Sequence, residues 1–85
     1  MKVNNQWQEA IYYLIKWDKF SLKDVINDSM FYKFQTRLGE IEAEHGTLVE
    51  RGKQSFTTKH NKSRKYTTYK AIDKEKLKEI FKLYE

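Results

Sequence analysis

Apolar residues recur at helical spacing in four stretches of this 85-residue chain, and between the third and fourth the pattern switches to that of strands. The clearest stretch is SMFYKFQTRLGEIEAEHG, Ser29 to Gly46. Met30, Phe34, Leu38, Ile41 and His45 fall three or four residues apart and form one apolar stripe. Ser29 is of the type that caps free helical amides, and Gly46 of the type that ends a last turn, so the pattern predicts a helix over about 29–45. Before it, Asn4 or Asn5 caps a helix over about 5–17 that turns Trp7, Ala10, Ile11 and Leu14 inward and Tyr12 and Tyr13 elsewhere. Asp18-Lys19 reads as a turn and Phe20 as a short extended residue entering the core. Ser21 then caps a short helix, about 21–27, with Leu22, Val25 and Ile26 inward. Asn27-Asp28-Ser29 follows as a tight turn, because such side chains bond nearby backbone. So short a joint makes the two helices cross at a large angle, as in helix-turn-helix units. At the end of the chain Asp73 caps a helix over about 73–84, with Leu77, Ile80, Phe81 and Tyr84 on one stripe that packs on the first helix.

Between Gly46 and Asp73 the chain reads as a β-hairpin over about 48–72. Leu48-Val49 opens it and Gly52 marks a bulge or turn. Gln54–Thr58 and Tyr66–Ile72, rich in aromatic and β-branched residues, form its arms. Phe56 placed opposite Tyr69 leaves Lys59, His60, Asn61, Lys62, Ser63, Arg64 and Lys65 as the tip. The expected fold class is α+β, in a single domain.

Charge changes the picture more than composition does. The net charge of +5 is unevenly spread: residues 1–46 carry six Lys and Arg against seven Asp and Glu, and residues 47–70 carry seven against one, Glu50. Residues 71–85 carry four of each. The whole excess therefore lies in the hairpin segment, the footprint of a surface for a polyanion. A tip with nothing apolar to bury gains little from folding, and its donors suit phosphates or a minor groove. The absence of cysteine excludes disulfides and thiolate metal clusters and fits a reducing, cytoplasmic setting. No apolar run is long enough for a membrane span, and the start lacks a signal-peptide pattern. Nor does the chain hold a phosphate-cradling glycine loop, a nucleophile beside a base or a paired carboxylate arrangement, so no enzymatic role, cofactor, metal or small-molecule substrate is expected.

The order helix, extended residue, helix, tight turn, helix, basic hairpin, helix resembles the winged helix-turn-helix superfamily over nearly the whole chain. Within it, Thr36-Arg37-Leu38, Ile41, His45-Gly46 and Val49, then a basic hairpin with Tyr66 and Tyr69-Lys70-Ala71, resembles small DNA-binding domains of phages and mobile elements. The resemblance implies a third helix in the major groove of double-stranded DNA, touching it through Ser29, Tyr32, Lys33, Gln35, Thr36 and Arg37. It implies wing contacts with the backbone or minor groove from Lys59, Lys62, Arg64 and Lys65, with His60, Asn61 and Ser63 beside them, and a role in regulating transcription or a mobile element. Arg37 has a second reading, as ion-pair partner of Glu40, Glu42 or Glu44, or of Asp24 or Asp28. Those three glutamates oppose the helix dipole and repel DNA, confining contact to the first half of the helix. Gly39 costs that helix about 1 kcal/mol relative to alanine, and either admits a close neighbour or is simply tolerated.

Tyr12, Tyr13 and Trp17 exceed what one helix face needs. They pack under the last helix or form a contact with a protein partner or second subunit, toward which Leu83 extends the apolar surface. An adaptor or inhibitor acting on another protein is therefore the main alternative to DNA binding, and a structured-RNA binder the third.

Overall fold

The computed structural model describes residues 2–57 and 63–84, with the side chains of residues 56, 57, 63 and 64 outside that description. It is an α+β fold in the order α1 (Gln6–Lys16), β1 (Lys19–Ser21), α2 (Leu22–Ser29), α3 (Phe34–His45), β2 (Val49–Thr57), β3 (Ser63–Ala71) and α4 (Lys74–Leu83). The strands form one antiparallel sheet in the order β1-β3-β2. Among the described residues no helix is long and apolar enough to cross a membrane.

Local signals set most helix ends. Asn5 accepts the amide of Gln8, and Asp73 accepts those of Glu75 and Lys76. Ser21 and Asp24 form a capping box in which the Asp24 carboxylate accepts the Ser21 amide at 2.8 Å. Gly46 ends α3 at φ 86°, a conformation side chains disfavour. The core gathers Ala10, Ile11 and Leu14 of α1, Phe20 of β1, Val25 of α2, Phe34, Leu38 and Ile41 of α3, Tyr69 of β3, and Leu77, Ile80 and Phe81 of α4. Helix α4 lies against α1, as its stripe requires. Gln8, fully buried, ties them together: its amide donates to the Phe81 carbonyl (3.3 Å) and its oxygen accepts the Asn4 amide (2.8 Å).

The structure corrects the pattern at the joint before α3. Ser29 does not cap α3; it is the last residue of α2, which also absorbs Asn27 and Asp28. The cause is a long-range bond. The Tyr13 hydroxyl donates to the Asp28 carboxylate at 2.7 Å and sits 2.7 Å from Ser29 Oγ, holding turn-favouring residues in helical conformation. The turn therefore falls at Met30–Lys33, and α3 starts at Phe34. Met30, assigned by spacing to the buried stripe, is 68% exposed, and Phe31 takes the core position instead. His45 is only half-buried, its ring edge-on to Tyr84.

Nor does the aromatic group of α1 lie as the pattern places it. Tyr13 is buried, stacked on Trp17, which in turn meets Phe20; both are directed at β1 and the end of α2, not at α4. Burial, with the Asp28 bond, pushes the Tyr13 phenol up to about 12.

The hairpin register differs as well. Phe56 pairs with Arg64, not Tyr69, and Tyr69 faces Arg51. The shift is an odd number of residues, so it exchanges the two faces relative to the expected pairing. Gly52 makes no bulge: it pairs regularly with Thr68. A Cβ there would come within 2.9 Å of Oγ1 of buried Thr68, whereas one on Gly39 would meet nothing within 4 Å. The same substitution should therefore have opposite signs at the two sites. Gly39→Ala should raise unfolding stability by about 1 kcal/mol through helix propensity. Gly52→Ala should lower it by about 1–3 kcal/mol through overpacking. Urea denaturation of both variants checks this, and equal signs would contradict the packing described.

Candidate nucleic-acid interface

Tyr69 orders the geometry of the basic region. Its ring is buried against Phe34 of α3 (5.2 Å between centroids) and Phe20 of β1 (5.7 Å), and its hydroxyl accepts the Gln35 side-chain amide at 2.9 Å. Arg51, directly opposite Tyr69, lies over the same ring and donates to Glu42 two turns further along α3. Helix α3 thus crosses the sheet at the Arg51–Tyr69 rung. Opposite partners share a face and successive residues alternate, so the next rungs on the α3 side are Lys53–Thr67 and Ser55–Lys65. At strand rise these lie about 7 and about 13 Å along the strands from the Arg51–Tyr69 rung. Strand β1 pairs only with residues 68–70, so from Thr67 outward the hairpin is a two-stranded ribbon. Ribbon and helix form an inside corner with Lys53 and Lys65 on the inner side. Both are exposed and enter no salt bridge among the described residues.

The side of α3 away from the core carries Thr36, Gly39 and Ala43, all exposed, small and uncharged. The glutamates expected to repel an anion are otherwise engaged. Glu40 accepts from Trp7 Nε1 (2.7 Å) and Arg37 (3.0 Å), and those bonds hold its carboxyl below the usual range. Glu44 accepts the Tyr84 hydroxyl at 3.1 Å. For Glu42, burial alone would push the carboxyl up, but the hydrogen bonds from Arg51 and the Leu48 amide outweigh it and leave the carboxyl low. The same pairing pushes the Arg51 guanidinium up.

The structure brings some of the expected contact residues together and reassigns others. Gln35 and Thr36 occupy the first turn of α3, and Tyr32 and Lys33 the exposed turn just before it. Ser29 is held in α2 by Tyr13. Arg37 is engaged: Nε donates to Gln6 (2.9 Å), Nη1 pairs with Glu40, and the guanidinium lies 4.9 Å from the Trp7 ring centre. Its ion-pair reading is the one seen, with Glu40 the partner. Lys59, His60, Asn61 and Lys62 lie outside the described residues. Ser63, Arg64 and Lys65, expected in the tip, belong to β3, because the register moves the turn toward the N-terminus. Lys53 is missing from the expected set, since only the true register shows that it faces α3.

Of the expected protein-contact residues, Tyr13 is buried, and Tyr12 and Trp17 are half-buried beneath the Lys16 ammonium, 5.5 and 5.3 Å from their ring centres. Leu83 is 70% exposed, at the far end of α4. A shallow cleft lined by Trp17, Lys19, Phe20, Asp24, Asn27 and Asp28 has its carboxylates committed to the Ser21 cap and the Tyr13 hydroxyl.

No protein-family model, curated protein or solved structure matches the chain.

The Glu42–Arg51 pair sets a pH dependence for the corner. A depressed carboxyl contributes stability that is present above its ordinary value of 4.5 and is lost as pH falls through the folded value. Glu42→Gln should be less stable than the parent at neutral pH, and the gap should close on acidification below 4.5. Denaturant melts at a series of pH values test this; a gap independent of pH would show that the pair does not couple ribbon to helix.

Proposed function

We propose that this chain is a small winged helix-turn-helix protein that binds double-stranded DNA without catalysing a reaction. Within that class, its role is the regulation of transcription or of a mobile element in the cytoplasm. Phosphate neutralisation by the ribbon supplies most of the affinity, and the start of α3 with the turn before it supplies the base reading.

The observation that carries this reading is the inside corner. The Gln35–Tyr69 and Glu42–Arg51 contacts put exposed Lys53 and Lys65, which enter no salt bridge among the described residues, on the same side of the sheet as α3. A corner of this kind suits a duplex, with the helix entering the major groove while the ribbon follows the adjacent backbone. The uncharged outer strip of Thr36, Gly39 and Ala43 lets the helix approach without desolvating charge. The protein-adaptor reading loses its main support, because Tyr13 is buried and Tyr12 and Trp17 are half-covered. For a structured RNA, Tyr66 is the natural stacking residue, and Lys23 lies 5.9 Å from its ring centre.

Affinity for duplex DNA should fall steeply with salt. Lys53→Ala with Lys65→Ala should flatten the log–log slope by roughly 0.9 per lost phosphate contact, about two units in all. Lys78→Ala on α4, whose ammonium pairs with Glu75, should leave the slope unchanged. Fluorescence anisotropy across a salt series reads all three proteins, with an RNA hairpin as competitor. A slope unaltered by the double substitution would remove the ribbon from the interface.

A further inference from the structure

The turn between α2 and α3 is built against its own stability. Met30 sits at φ 56°, ψ 30°, the one non-glycine residue with positive φ among the described residues. A left-handed backbone crowds Cβ against the following carbonyl, which is why helix ends of this shape favour glycine or asparagine. Methionine recovers little of that cost by packing, since it is 68% exposed. Tyr32, two residues on, is 63% exposed. Phe31 between them is only 5% exposed, edge-on to Phe34 at 6.2 Å, so it pins the turn while both neighbours face solvent. Exposed Lys33 follows at once, and the end of α3 they precede is the end that Gln35 ties to Tyr69. Two large apolar side chains are thus held out beside a cation, at the edge of the corner described above.

We propose that Met30 and Tyr32 contact the 5-methyl groups of thymine in the major groove, so that the turn, rather than the body of α3, supplies the preference for A·T pairs. This inference rests on the DNA reading. The thymine methyl is the apolar group that base edges present in that groove, and aliphatic or aromatic side chains are what recognise it. The adjacent Lys33 and the ribbon lysines select a polyanion over a protein surface, and commit the occupant to a nucleic acid. Uracil lacks the methyl, so the same contact separates DNA from RNA. Glycine at position 30 would relax the backbone and leave nothing to touch the base.

The test uses the whole chain and duplexes selected from a random pool for tightest binding, each then remade with deoxyuridine in place of thymidine. Removing the methyls should weaken binding of the parent protein by about fourfold per contacted methyl. Met30→Gly should melt about 4–8 °C higher than the parent, as strain is relieved, yet lose part of the thymidine-over-deoxyuridine preference. Tyr32→Ala should lose the remainder with little change in melting. Opposite movements of stability and preference would not arise from a merely structural turn. Equal affinity of the parent for both duplexes overturns the inference while leaving DNA binding intact. So does a full deoxyuridine penalty persisting in the combined variant, since the methyls would then be read elsewhere. Failure to retain any duplex overturns the DNA reading itself, and the inference falls with it.

Discussion

The ring of Tyr69 is the joint through which sheet and helices hold one another. Three elements meet it: β1 through Phe20, paired with it in the ladder, α3 through Phe34, and β2 through Arg51 across the rung. Edge-on aromatic contacts are each worth about 0.5–1.5 kcal/mol beyond the area they bury. The phenol adds direction to that attraction. A hydroxyl at a buried position needs a partner, and Gln35 provides it from the first turn of α3, fixing where along the strand the helix sits. Phenylalanine would fill the same space without setting that position. With α3 set against the Tyr69 rung, the face on which each outer side chain of the ribbon emerges follows from strand alternation alone.

Around that joint, polar residues divide into two groups by location. Those near the helix junctions are engaged in holding elements together: Arg37 joins α3 to α1 through Gln6 and Trp7, Glu42 joins α3 to β2, and Glu44 reaches Tyr84 beyond α4. Exposed pairs of this kind add little stability individually. Their larger effect is on the field, because they take the acids of α3 out of its outward strip. Left in water on long stems are lysines, among them Lys33, Lys53 and Lys65. A flexible ammonium behaves as a point charge and suits phosphates whose positions vary with sequence. Among the described side chains arginine, with its planar fork, is found where the geometry is fixed, at Arg37 and Arg51.

The turn at Met30 stands apart from this economy. Most other helix ends carry the residue that local geometry prefers: Asn5, Ser21 and Asp73 at helix starts and Gly46 at the end of α3. At Met30 the local rule is broken and no packing compensates. Sites where a chain departs from local preference without a structural gain are where function is to be sought.

The sequence by itself determined the order and kind of the elements and the inward faces of the first and last helices. Capping residues, apolar spacing of three and four, and a change to β-branched and aromatic composition are carried within a few residues. They gave the α+β class, a first cap at Asn4 or Asn5, the caps at Ser21 and Asp73, and the buried stripes of α1 and α4. The concentration of cations after Gly46 was legible for the same reason, since charge can be counted along the chain. What only the tertiary structure decided was every relation between distant residues. Tyr13 reaching Asp28 moved the turn to Met30, and Gln8 became a buried tie to α4. The contact of Tyr69 with α3 accompanies a hairpin register unlike the one composition favoured. Register is set by which residues can be buried together, not by local preference, and a shift by an odd number of residues reverses every face. For that reason the inner side of the ribbon, with Lys53 on it, became readable only in three dimensions.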